Sequence, residues 1–496
     1  MLLRNATLED HTFRTGGGAS ILGVTLGATV VIEAAIDYWP DPLVQRTVCV
    51  GGNGNLYKDA DGVAGSWVTL TGSALPTGTS RVPFLYRAGQ AAAAQNAIIV
   101  YCDRINRVRV LSGDGVTVSV ITAPPADWSG SDNSVNQPGC GAIHQGYNWM
   151  AGNRNASHTV YRSLQADHQD FTTTAYSLRV FPGVGEYISA MLTYKGVLLI
   201  WKYPEGVFAV DTSDASDTNW RVIKVGSAGA PGPKCVVQIE DDVLWVAPDG
   251  SWHLVSATTA TGSVRAEDLA ARKLGSFARD QINLNRLQWA DLIYYAHKQE
   301  VQLGCSASGQ STKTRRLHLD LARRTEIGER WIWWDRDANE TLFIRKLLGV
   351  FIPAMGDTVG RIWEMDRINR NANNAAYTFE WWVRDTDFAE IIPGWQGKYK
   401  NLRFIQLEYD GRSAATHTVE VYRDGTLGQS ALSLSLSAGS ALPRDLPFTL
   451  GTESLRLTQR RRLRGRAIRT AVRGYTTAIN ADVSIAKILI GLEIGE

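Results

Sequence analysis

Residues 456–473 read RLTQRRRLRGRAIRTAVR, a stretch with eight arginines and no acid: Arg456, Arg460, Arg461, Arg462, Arg464, Arg466, Arg469 and Arg473. A guanidinium presents a rigid fork of N–H donors that matches the oxygens of a phosphate. Several such groups side by side would neutralise a nucleic-acid backbone without reading its sequence, and the binding would weaken as salt rises. The same residues also suit an arginine-rich strand edge or a contact with an acidic neighbouring subunit. Both readings stay open at the level of sequence.

No other constellation in the chain specifies a reaction. Asp249-Gly250-Ser251-Trp252, and Asp61-Gly62 ahead of Trp67, are partial matches to the Asp-box turns of sialidases. Those turns are structural even when complete, and a sialidase needs an arginine triad and a tyrosine nucleophile besides. Asp59-Ala60-Asp61-Gly62 begins like a calcium loop but lacks the later ligands and the distal bidentate glutamate. Glu240-Asp241-Asp242 sits at an expected hairpin turn, where solvated acids are common. The Gly16-Gly17-Gly18 run lacks the Lys-Ser/Thr of a phosphate loop. The eight histidines show no metal-binding spacing, and no GxSxG is present. The expectation is a protein that is not an enzyme, with no cofactor and no metal.

The elements around these residues are β in character. Leu56 to Leu70 (LYKDADGVAGSWVTL) and Val243 to Val255 (VLWVAPDGSWHLV) share a loose pattern of strand, Asp-Gly turn and tryptophan. Tyr187 to Ile200 predicts two strands around Tyr194-Lys195-Gly196. Lys234–Ile239 predicts a pairing with Val243–Val246, and Leu292–Ala296 one with Val301–Gly304. Recurrence at a few tens of residues predicts an irregular β-propeller of about six to eight blades. The expected organisation is an N-terminal strand or arm over 1–40, the propeller over 41–370 and a C-terminal β-sandwich-like domain over 371–496. A helical insertion is expected at 263–287, from the spacing of Val264, Leu269, Leu274 and Phe277. The polar run DRINRNANN at 366–374 marks the domain boundary.

Composition narrows the function classes. A net charge of +2 over 496 residues excludes a polycation, so a polyanion contact must be local. Five scattered cysteines, none at CxxC spacing, predict buried thiols rather than a disulfide framework or a zinc site. No apolar run approaches the ~18 residues of a membrane span, and MLLRNATLEDH lacks the apolar core of a secretory signal, so synthesis in the cytoplasm is expected. Among the sixteen tryptophans, Trp67, Trp220, Trp252, Trp331 and Trp363 follow turns or begin strands and are expected to anchor blades. A buried indole hides 150–250 Å², worth roughly 4–6 kcal/mol gross.

Several of these segments carry a resemblance. They are Val160-Tyr161-Arg162-Ser163 followed by Asp167 and Asp170-Phe171, the run YISAMLTYKGVLLIWKYPEGVFAV, the strand YTFEWWVR, and the entry Gly397, Lys398, Lys400, Arg403, Phe404. Over residues 40 to 496 the layout resembles the tail nozzle, or packaged-DNA stabilisation, proteins of short-tailed bacteriophages. The resemblance implies a virion protein in a homo-oligomeric, hexameric ring below the portal-adaptor ring of the tail. Such a ring forms the end of the channel for double-stranded DNA, retains the genome and releases it at infection. Tail fibres or spikes are further implied partners, and the family supplies no catalytic residues. The alternative is a propeller-type receptor-binding or carbohydrate-active, sialidase-like tail protein.

Overall fold

The computed structural model describes residues 2–4, 6–9, 12–15, 18–26, 30–41, 44–60, 63–70, 72, 75–76, 81–89, 97–111, 117–134, 136–165, 167–173, 175–214, 216–258, 263–268, 281–321, 331–335, 339–347, 349–367, 379–386, 396–410, 415–436, 456–463, 466–476 and 484–494. The chain is all-β, built of many small antiparallel sheets. Local chemistry explains the hairpins. Lys195 and Gly196 take φ of 46° and 77°, and Gln145 and Gly146 take 48° and 78°. Two successive positive φ values give the tight turn whose twist matches that of paired strands. The strands Tyr187–Tyr194 and Val197–Tyr203 therefore meet around Lys195-Gly196, as the sequence predicts.

Six four-stranded sheets and a seventh four-strand meander follow one another. Sheet one holds Ile32–Asp41, Val44–Gly51, Leu56–Ala60 and Val63–Thr69. Sheet two spans Phe84–Val120, sheet three Cys140–Arg179, sheet four Tyr187–Ala228 and sheet five Val236–Asp268. The meander of sheet six spans Asp291–Asp335. Sheet seven runs from Asn339 to Arg367 and takes its fourth strand, Gly18–Ile21, from the beginning of the chain. The first strand of each sheet packs on the first strand of the next, and that of sheet seven packs on that of sheet one. Within sheet four the two middle strands are buried almost throughout, whereas the outer strand Arg221–Ala228 is largely exposed. Strands covered on both faces read as continuous apolar runs rather than alternating ones.

The C-terminal region forms two further arrays. Phe379–Thr386, Thr470–Thr476, Ala415–Arg423 and Thr426–Leu436 pair in that order, and Leu2–Arg4 joins them to sheet six. A six-stranded sheet contains Ala6–Glu9, Thr12–Thr15, Ser484–Ile494, Lys400–Asp410, Arg456–Arg462 and the short Arg466–Ala467. Phe379, Trp381, Ile405, Leu407, Val419, Val472 and Ile485 from the two arrays share one core. The described strands among the first forty residues thus join four different sheets.

The helical insertion expected at 263–287 is corrected in its first part only, since Gln281 is α-helical and the turn after it stays helical. Ser263–Asp268 is a strand, paired from His253↔Asp268 to Thr258↔Ser263, because SVRAED can alternate along the otherwise open edge of Trp252–Thr258. Leu284–Trp289 is a 3-10 helix, and 269–280 lie outside the described residues. All five cysteines are buried and none is in a disulfide.

Of the expected tryptophan anchors, Trp252 is fully buried. Trp67, Trp220 and Trp363 are half-buried, and their indole N–H groups donate to the Val24 carbonyl, the Asp214 carbonyl and Asp357 Oδ2. Trp331 begins a strand of sheet six, and its side chain lies outside the described residues. The largest buried indoles of the middle sheets are others: Trp149, Trp201 and Trp245. Each lies within the second strand of its sheet, in YNWMA, VLLIWKY and DVLWV. Trp201 and Trp245 meet edge to face at 5.9 Å, so the recurring tryptophan joins sheet four to sheet five.

Candidate functional site

The arginine segment divides on folding. Arg456–Arg462 is an edge strand whose ladder runs from Asp410↔Arg456 to Phe404↔Arg462. Cross-strand partners share a face. Ile405 and Leu407 are buried, so their opposites Arg461 and Gln459 lie on the core-facing side at the rim. Arg460 and Arg462 share the other face with Gln406 and Phe404. Arg460, Arg461 and Arg462 are all exposed.

Arg460 is held in place by stacking. Its guanidinium lies 3.6 Å from the Phe404 ring centroid, within cation–π range. The ring itself rests on Gly491, where an added Cβ would come within 2.3 Å of it. Gly491, Phe404 and Arg460 therefore form a layer that presents a cation on the outer face of the sheet. Stacking leaves the in-plane N–H donors of a guanidinium facing outward, the geometry that a phosphate oxygen needs.

The remaining arginines take different places. Arg466 is exposed, pairs across to Asn401 and lies 5.3 Å from the Tyr399 ring centroid. Arg469 is exposed in a turn pinned by Asp424 Oδ1, which accepts the backbone N–H of Ile468 and of Arg469. Arg473 is half-buried and paired. It sits on Thr470–Thr476, 2.7 Å from Glu380 and 3.2 Å from Glu420. Burial works against its charge, but its hydrogen bonds to Glu380 and Glu420 outweigh that and hold it protonated more firmly than usual. Arg473 is thus removed from the polyanion-facing set by two acids on neighbouring strands. Arg456 is placed as the first residue of its strand, and Arg464 lies outside the described residues.

The carboxylates that sequence reading considered for chemistry make structural hydrogen bonds. Asp249 Oδ1 accepts the Ser251 N–H at 3.0 Å and the Ser251 hydroxyl at 2.6 Å, closing the turn that Gly250 makes at φ 83°. Glu240 accepts the Tyr294 hydroxyl and the Gln299 amide, tying sheet five to sheet six. Asp59 is buried and accepts the Thr47 N–H. Among the described residues no group of His, Cys, Asp and Glu is arranged to hold a metal ion, and no helix is long and apolar enough to cross a membrane.

Sequence reading missed a second polar cluster, which lies where the first strands of several sheets begin. Asp291 is 2.6 Å from both Lys234 and Lys313, and its Oδ2 accepts the Leu342 N–H. Arg81 pairs with Glu33, Lys234 donates to the Glu33 carbonyl, and the Trp289 indole donates to the Arg81 carbonyl. Burial pushes the Glu33 and Glu340 carboxyls up. Each of these charges looks ordinary in its own stretch of sequence, so no local signal marks them. Together they tie sheets one, two, five, six and seven to one another.

The core beneath the arginine sheet has a pH-sensitive member. His417 Nε2 accepts the Trp381 indole N–H at 2.8 Å, and burial drives the imidazole down to about 3 from 6.5. Its folded value lies below its unfolded one, so its contribution is complete above pH 6.5 and is lost as pH falls toward 3. Below pH 6.5 this residue should cost about 1.4 kcal/mol of stability per pH unit. His417→Gln, which keeps an acceptor, should flatten that slope in urea titrations between pH 7 and pH 4. An equally steep slope in the variant would assign the acid sensitivity to other groups.

No protein-family model matches the chain, and no curated protein matches it. Among solved structures, a crystal structure of the computationally designed Ika8 protein aligns with a TM-score of 0.37 and 12% identity. The alignment covers 70% of this chain and 99% of that one. A likeness of that size carries no argument about fold or function.

Proposed function

We propose that this chain is a structural virion protein, a nozzle-like component of a short phage tail that works as a homo-oligomeric ring around double-stranded DNA. In this reading the seven sheets are the blades of a seven-bladed β-propeller. The cyclic packing of first strands supports it, as does the completion of the last sheet by an N-terminal strand. The propeller is the rigid body of the subunit, and the C-terminal arrays carry the contact with DNA. The portal-adaptor ring and tail fibres or spikes are the proposed neighbours within the virion. The observation that carries the reading is the exposed edge strand bearing Arg460, Arg461 and Arg462, with Arg460 oriented on Phe404.

The test replaces Arg460, Arg461, Arg462 and Arg464 together by Ser. Each phosphate contact adds about 0.9 to the slope of log affinity against log salt on duplex DNA. Losing three or four contacts per subunit should therefore flatten the slope by about 3 units and weaken binding at 50 mM salt at least a hundredfold. Particles carrying the variant should lose packaged DNA on mild heating. An unchanged salt slope together with full DNA retention would remove the DNA role.

A further inference from the structure

The six-stranded sheet has two outer strands of opposite character. At one end lies Arg456–Arg462, with four arginines in seven residues and no acid. At the other lies Ala6–Glu9, which contains Glu9 and no base and is followed in the chain by Asp10. Among the described residues, each has a ladder partner on one side only. An open strand edge is a template for another strand, because its main-chain N–H and C=O groups remain to be paired.

We propose that neighbouring copies of this chain join head to tail, the Ala6–Glu9 edge of one copy adding to the Arg456–Arg462 edge of the next. The occupant of the arginine edge is then a second copy of this chain. Charge selects this arrangement over its competitor. A two-fold dimer through the arginine edge would crowd two arginine-rich strands together with no acid between them, and like charges opposite one another are destabilising. The acid-bearing edge offers the complement.

Topology fixes the direction of the junction. Four antiparallel ladders separate the two edges, so Ala6–Glu9 and Arg456–Arg462 run the same way. Repeating the subunit by rotation about an axis along the strands keeps that direction, so the junction is a parallel pairing. Such a heterologous contact closes into a ring or continues as a filament. The inference rests on the ring-forming reading above and names its contact. It is compatible with DNA binding by the same strand: strand addition uses the main chain, while Arg460 and Arg462 project from the face of the sheet. A continuous sheet would then repeat that cationic face from one subunit to the next.

The experiment is disulfide trapping in the full-length chain, with Thr458→Cys combined with Ala6→Cys or Thr7→Cys so that both faces are sampled. The five native cysteines are buried and can stay. Within one copy the edges are four strand spacings apart, roughly 19 Å, so neither pair can close inside a subunit. Mild oxidation should give ladders of covalent dimers, trimers and higher species, at least tenfold above any single-cysteine variant. Dimers from Thr458→Cys alone would overturn the proposal in favour of the two-fold edge contact. Rings seen by negative stain without a ladder would overturn the pairing and leave the ring reading standing. A chain that stays monomeric at every concentration would overturn both. Duplex DNA should leave the ladder unchanged, and its loss on adding DNA would assign the edge to DNA alone. As a check independent of cysteine, Glu9→Arg should weaken assembly at least tenfold, and adding Arg460→Glu and Arg461→Glu should restore it. Absence of that rescue in folded protein counts against the pairing.

Discussion

Trp381→Ala is expected to destabilise the C-terminal unit by about 3–5 kcal/mol, the range for removing a buried indole and leaving its cavity. Trp381 is fully buried in the core shared by the two C-terminal arrays. Its ring lies nearly coplanar with that of His417, edge to edge, with centroids 5.8 Å apart and an interplanar angle of 17°. Its other side lies against Gly474, where an added Cβ would come within 2.2 Å of the indole. The neighbours therefore leave the ring one position, and a cavity there cannot be filled by a small shift. The variant also leaves His417 Nε2 without the donor it has at 2.8 Å. The loss is read from urea unfolding at pH 7 by near-UV circular dichroism. A shift under about 1 kcal/mol would mean that the two arrays do not depend on this core. Gly474→Ala should act in the same direction through steric conflict with the same ring.

Asp291→Ala is the second large effect, also expected at about 3–5 kcal/mol, because it strands buried lysines without a counter-charge. Asp291 is 1% exposed and lies 2.6 Å from both Lys234 and Lys313. It also accepts the N–H of Leu342, so its loss leaves a backbone donor of sheet seven unpaired. The damage should spread beyond sheet six, since Lys234 precedes sheet five and also reaches the Glu33 carbonyl in sheet one. A second change separates charge from packing. Asp291→Ala with Lys313→Met should be more stable than Asp291→Ala alone, because the uncompensated ammonium is gone. Thermal melts of the three proteins check this. If the double variant melts below the single one, the lysine contributes something other than the ion pair.

The two residues differ in how far a local pattern marks them. Trp381 was legible as one of a pair in YTFEWWVR, with strand alternation placing Trp381 and Trp382 on opposite faces. The structure buries Trp381 fully and leaves Trp382 half-buried. Asp291 was not legible at all, because its partners lie 57 and 22 positions away (291 − 234 and 313 − 291). The recurring tryptophan was legible in kind but not in place. Position after a turn or at the start of a strand favoured Trp67, Trp220 and Trp252, whereas Trp149, Trp201 and Trp245 stand inside second strands. The signal that could have found them is a tryptophan late in the apolar strand that follows each tight hairpin.

The arginine segment shows the same division. Its strand character and density of positive charge follow from composition and period, which are local properties. Its partition does not. Arg473 is removed by Glu380 and Glu420, 93 and 53 positions away, because the ladders Trp382↔Arg473 and Glu420↔Arg473 bring three strands side by side. Arg460 is kept outward by Phe404 and by the absence of a side chain at Gly491.

By itself the sequence determined where the chain extends and where it turns, since alternation and paired positive φ values act over two to four residues. Tertiary structure alone decided the order of the strands, the distribution of the described N-terminal strands over four sheets, and which charges are buried. Those outcomes depend on groups far apart in the chain, such as Gly18–Ile21 beside Ile362–Arg367, that meet only when the sheets assemble.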